Sequence, residues 1–161
     1  VSPDLPALAA LAAKPLPVLD ARAGEAMAQA VRDAAADGDS VGGVVECVVT
    51  GLPAGVGEPL YDSVESRLAA LLFAVPAVKG VEFGAGFAAA ALRGSENNDG
   101  YTASGGEVRT LSNHSGGICG GLTTGMPVVF RAAFKPTPSI ARPQRTVALP
   151  GPEDADRGRP P

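Results

Sequence analysis

The sequence predicts a fold that mixes helices and strands, α/β or α+β, and three observations predict it. Segments with helical spacing of apolar residues alternate with segments whose apolar residues recur every second position. Hydrophobic residues make up 45% of the 161 residues, enough for one domain with a core of its own. No stretch repeats internally, which excludes solenoid and propeller architectures. Only 4% of residues are aromatic and none is Trp, so the core must be built from Ala, Val and Leu.

Residues 1–17 are rich in Ala and Pro and give no clear element, so they are expected to be an irregular flank. A helix is expected from Arg22 to Ala36, with Met27, Ala30, Val31 and Ala34 on one small-residue face and Gly38 as its stop. Val44 to Thr50 reads as a strand, Val45, Cys47 and Val49 facing one way and Val44, Glu46, Val48 and Thr50 the other. Gly42 and Gly43 open that strand, where a close backbone approach is expected. The second helix starts at a cap provided by Asp62 or Ser63 and buries Val64, Leu68, Leu71 and Leu72. Pro76 ends it, and Val78 to Phe83 reads as a short strand. From Gly84 to Gly100 an Ala run favours helix while glycines break it, and Asn97, Asn98 and Asp99 favour a turn. A short strand at Glu107 to Leu111 precedes a Gly-rich loop, and Pro127 to Phe134 alternates as a strand. Beyond Lys135 the chain is Pro-rich and expected to be extended. The charged tail at 149–161 is expected to be disordered, leaving 18–148 as the domain.

Charge and cysteine usage narrow the function classes. The formal net charge is −4, and no basic patch of the kind that nucleic acid requires occurs. No apolar run is long enough to cross a bilayer, so no membrane partner is expected. Residues 1–17 lack the basic start and continuous apolar centre of a signal peptide. Cys47 and Cys119 do not make a disulfide framework, and a reduced, cytoplasmic setting is expected.

Two segments are candidates for chemistry. Dense glycine in Asn113 to Gly125 lets backbone N–H groups approach an anion or a ring, but the spacing matches neither a dinucleotide-binding loop nor a P-loop. A tight turn between strands is the favoured reading of that loop by residue type alone. In FKPTPSIARPQ, Lys135 leaves a strand into a two-proline turn that would hold its ammonium in place, with Thr137 and Ser139 as hydroxyl donors. An ordinary strand exit explains those residues equally well. His114 is the single histidine, and with no nucleophile near it the favoured reading is a locally bonded loop residue. One His and two distant Cys give no metal site. Asp37 with Asp39, and Glu96 with Asp99, look solvated rather than catalytic.

The segments GDSVGGVVECVV, PAVKGVEFGAGF, ALRGSENND, SNHSGGICGG and FKPTPSIARPQRTV occur in this order in chorismate synthases, which the chain resembles from Val18 to Val147. The resemblance implies an α+β fold, part of that family's β-α-β sandwich. It implies a flavoprotein lyase of the shikimate pathway, with NADP as an associated nucleotide. Such an enzyme converts the small molecule 5-enolpyruvylshikimate 3-phosphate to chorismate and phosphate by anti-1,4-elimination, using reduced FMN that lends an electron transiently. A homotetramer is implied when the enzyme is complete. Cofactor contacts carry over onto Pro76 and Ala77, onto Gly120, and onto Lys135, Pro136, Thr137, Pro138 and Ser139. Lys135 would then stabilise an electron-rich reduced ring.

The departures carry expectations of their own. The family's GESHG-type motif, second histidine, arginine-rich phosphate site and RHDP motif are not in this sequence, and His114 belongs to the separate SNHSGG motif. No residue here is therefore expected to be catalytic, and the chain is expected to be a fragment, inactive alone. The alternative is a remnant or partner-binding module without catalysis of its own; a split enzyme completed by a second chain is a third reading. The tail RGRPP, where relatives carry GRHDP, is expected to reflect a one-nucleotide shift, which a coding sequence without a shifted GRHDP would refute.

Overall fold

The computed structural model describes residues 5–11 and 13–145. The fold is α+β, as expected. The charged tail at 149–161, and Thr146 and Val147 at the end of the last motif, lie outside the described residues.

The flank read as irregular contains a helix, α1 (Leu5–Leu11), formed by an Ala- and Leu-rich run of strong helix formers. Helix α2 (Ala21–Ala36) starts at Asp20, whose carboxylate accepts from the N–H groups of Arg22 and Ala23. Strand β1 (Gly43–Val49) follows. Ser63 caps α3 (Val64–Ala74) by accepting from Ser66 N–H. Strand β2 (Val78–Phe83) has the bounds expected. The ambiguous stretch resolves into a 3-10 segment at Gly86–Ala91 and one helical turn, α4 (Gly94–Asn97). Strand β4 (Glu107–Thr110) pairs with β3 (Tyr101–Ser104), a strand that the turn-forming residues before it concealed. The Gly-rich loop is a tight hairpin of β5 (Ile118–Cys119) and β6 (Leu122–Thr123). Strand β7 (Val128–Phe134) comes last.

The main sheet has the order β1-β7-β2, antiparallel throughout. Val45, Cys47 and Val49 stand opposite Ala132, Phe130 and Val128, so the alternation read from the sequence is the alternation of faces. On that face α3 packs Val64, Leu68 and Leu72 against a core of Ile118, Val128 and Phe130. Leu71, expected in the same stripe, is 69% exposed. The opposite face carries Glu46, Arg131 and Glu82 side by side across the three strands. Arg131 Nε lies 3.0 Å from Glu82 Oε1 and 3.9 Å from Glu46 Oε2. The face of α2 that was expected to pack closely does not: Met27 and Val31 are half exposed.

Candidate functional site

Strand β7 ends at Phe134, and the chain continues as Lys-Pro-Thr-Pro-Ser. Pro136 and Pro138 have no N–H, so this segment cannot go on pairing with the sheet. Its first residue is fixed instead by a backbone bond: Lys135 N–H donates to Ala77 O at 2.9 Å. Ala77 itself sits at φ 73°, in the left-handed region between α3 and β2, which costs a residue with a Cβ about 1–2 kcal/mol. That conformation turns the chain from helix to strand beside the β7 exit. Two of the sequence-derived groups, Pro76 with Ala77 and Lys135 through Ser139, are thus brought together as one ledge at the end of the sheet. Pro76 and all of residues 135–139 are exposed, and Ala77 is half-buried. Among the described residues, Lys135 Nζ, Thr137 Oγ1 and Ser139 Oγ have no hydrogen-bond partner.

The ledge is tied to the turn between α2 and β1. Ser40 Oγ donates to Thr137 O at 2.7 Å, and Ala141 N–H donates to Gly38 O at 2.9 Å. Arg142 Nη1 lies 2.8 Å from Asp39 Oδ2. The Ser40 N–H, then Arg142, hold the Asp39 carboxyl below the ordinary carboxylate range. A Cβ at Gly42 would run into Phe134 O and the Pro136 ring, which is the close approach expected there.

Gly120 is not part of the ledge. It lies at the tip of the β5–β6 hairpin, near the Val128 end of β7, whereas the ledge follows Phe134. Seven residues of strand at about 3.3 Å each put roughly 20 Å between the two ends. Gly120 has φ 60° and open space where a Cβ would stand. Its neighbour Gly121 is buried and accepts at its carbonyl from Val64 N–H, fixing the hairpin to the start of α3.

His114 also lies at the far end. Its Nδ1 is 3.2 Å from Asn97 O and 3.6 Å from Asp99 Oδ1, the local bonding expected of a loop histidine. Asp99 was read as solvated, and the structure corrects this: its side chain is 8% exposed. It accepts from Ser112 Oγ and from the N–H groups of His114 and Ser115. Burial alone would raise its pKa, but the hydrogen bonds from Ser112, Ser115 and His114 outweigh it and hold the carboxyl below its usual range. A cavity of about 310 Å³ adjoins this net, lined in part by Asn97, Asp99 and Cys119. Among the described residues no group of three or more His, Cys, Asp or Glu could hold a metal ion.

The ledge can be tested against the reduced flavin that the resemblance implies. An electron-rich ring or a phosphate needs cations and donors, and the ledge offers an ammonium and two uncommitted hydroxyls. The donor set fits. Because its residues are exposed, the ledge is an open surface rather than an enclosed pocket. Sequence reasoning missed the Asp99 net and the Ser40–Asp39 ties. Asp in a turn signals only local bonding, and no spacing rule links residues 39 and 142.

The family model for chorismate synthase matches residues 6–158. The chain is 54% identical over 130 residues to the chorismate synthase of Dehalococcoides mccartyi, covering 81% of this chain and 36% of that protein. It is 55% identical over 130 residues to the chorismate synthase of Thermococcus kodakarensis, covering 81% and 37%. The chain therefore spans little more than a third of the length of these curated relatives. A crystal structure of chorismate synthase superposes with a TM-score of 0.71 at 35% identity, covering 75% of this chain and 37% of that one.

Proposed function

The chain belongs to the chorismate synthase family, and from that premise we propose that it supplies one wall of the reduced-FMN site of such a lyase. The reaction proposed is elimination of phosphate from 5-enolpyruvylshikimate 3-phosphate to give chorismate, in the cytoplasm and within a homotetramer. The unit proposed to carry it is residues 18–148. Bound in reduced form, FMN would supply transient electron density for cleavage of the substrate's C–O bond to phosphate. The chain's own residues would hold and orient it. Lys135, held at its backbone by Ala77, would place an ammonium beside the ring or its phosphate, and Thr137 and Ser139 would offer hydroxyl donors. Pro136 and Pro138 stiffen the run, and Pro76 and Ala77 lie along the wall through backbone and Cβ contact. Gly120, with open space at its Cα, suits a close approach at the far end of the sheet. The backbone bond between Lys135 and Ala77, which joins two sequence-distant family motifs into one ledge, is the observation that carries this reading.

No acid or base for the elimination is assigned to this chain. Its single imidazole lies at the opposite end of β7 from Lys135 and bonds locally to Asn97 O. Those groups would come from a further segment or chain. One observation favours a second reading, a partner-binding module: Val44 and Val45 on β1 and Leu71 on α3 are more than half exposed. Such surface is suited to cover by another polypeptide.

The test is FMN titrated into the isotope-labelled chain and followed by amide NMR. Shifts are expected to concentrate on Ala77, Gly120, Lys135, Thr137 and Ser139. Lys135→Ala is expected to weaken binding about tenfold, the loss of one charge-assisted hydrogen bond. Shifts scattered elsewhere, or an unchanged affinity in the variant, would overturn the assignment.

A further inference from the structure

We propose that the α2–β1 turn is a latch that positions the flavin ledge, with Ser40 and the Asp39–Arg142 pair as its positioning residues. This rests on the flavin reading above and adds residues to which that reading gave no part.

Once past Lys135, the ledge has lost the sheet. Two prolines remove its N–H groups, and Ile140 N–H and the Gln144 amide both turn back onto Pro138 O within the same segment. Among the described residues, the hydrogen bonds that join residues 136–144 to the chain before Lys135 all go to the α2–β1 turn. Ser40 Oγ holds the carbonyl of Thr137, the central residue of the ledge. Gly38 O holds Ala141 N–H, and Asp39 holds Arg142. The ties reach across 97 positions for Ser40 with Thr137 and 103 for Asp39 with Arg142. They bracket the ledge at its middle and at its far end, while the Ala77 bond holds its start. Gly42 completes the fit, because any side chain there would displace Pro136 or the end of β7. A ligand that uses Lys135, Thr137 and Ser139 together needs their spacing fixed before it arrives, since ordering a loose loop on binding weakens affinity.

None of these ties touches the core of Ile118, Val128 and Phe130. A positioning role and a structural role are therefore separable in the full chain. With FMN as the probe and amide NMR as the readout, Ser40→Ala is expected to bind about fivefold more weakly while its thermal midpoint stays within about 2 °C of the parent. Ser40→Thr, which keeps the hydroxyl, is expected to restore the affinity. Asp39→Ala and Arg142→Ala are each expected to weaken binding, and the double variant no further than either, because the two side chains form one contact. Parent-like affinity in Ser40→Ala, failure of Ser40→Thr to restore it, or a fall in thermal midpoint that accounts for the loss would each overturn the latch. A parent chain without FMN-dependent shifts would instead overturn the flavin reading, and the positioning role with it. The two failures are distinguished by whether the parent binds.

Discussion

At the scale of single residues, Asp99 does most to shape the loops around the Gly-rich hairpin. A nearly buried carboxylate with three donors organises residues 97–115, and each bond to a charged acceptor contributes about 1.5–3 kcal/mol, offset by the cost of burial. Its pKa is lowered in the folded chain from an ordinary value of 3.8. A depressed carboxyl contributes stability that is fully present above that ordinary value and is lost as pH falls through the lower folded one. Amide exchange at His114 and Ser115 is therefore expected to stay protected from neutral pH down into the carboxylate range, then to accelerate. Asp99→Asn removes the charge at every pH and is expected to cost about 2 kcal/mol at neutral pH, read from the urea midpoint. An unchanged midpoint would show that the net contributes nothing beyond what water supplies. The sequence read Asp99 as a turn residue, and it lies in the irregular link between α4 and β3. Its burial was not legible, because it depends on β3 and β4 folding back beside it.

Among the elements, α3 shows where periodicity succeeds and where it overreaches. Val64, Leu68, Leu71 and Leu72 all satisfy helical spacing for one stripe, yet only three of them meet the core. The contact is one-sided, since α3 packs against the face of a three-stranded sheet, so a residue at the stripe's margin faces solvent. Leu68→Ala is expected to cost about 2 kcal/mol, and Leu71→Ala less than about 0.5 kcal/mol, in equilibrium urea unfolding. Equal losses at the two positions would mean that Leu71 is covered in solution, by a partner or a second copy. The strands were easier to read. Alternation in β1 and β7 maps directly onto two faces because the side-chain period of a strand is two, and register follows from which face is buried. For α2 the spacing gave a helix with the right bounds to within a residue, but no spacing rule states whether a face has a partner.

As a whole molecule, the described part of the chain buries few apolar side chains: Val78, Ile118, Val128, Phe130 and Ala132 form the core. Such a core supports a marginally stable unit. Together with the distance between His114 and the ledge, this leads to the expectation that the chain by itself, given 5-enolpyruvylshikimate 3-phosphate and chemically reduced FMN, releases no phosphate above a protein-free control. Release at a rate proportional to chain concentration would refute it, and would require that residues of this chain move the proton.

By itself the sequence determined the fold class, the positions of the main helices and strands, and the family, because local periodicity and ordered motifs are properties of neighbouring residues. It also named the ledge residues, through motif resemblance rather than through physics. Only the tertiary structure decided that Ala77 and Lys135 meet while Gly120 lies at the far end of the sheet, that the Asp99 side chain is nearly covered, and that Ser40, Asp39 and Arg142 tie the ledge down. All but the covering of Asp99 depend on the order β1-β7-β2, in which a late strand is inserted between two earlier ones. That pairing brings residues about a hundred positions apart into contact, and no local pattern encodes it.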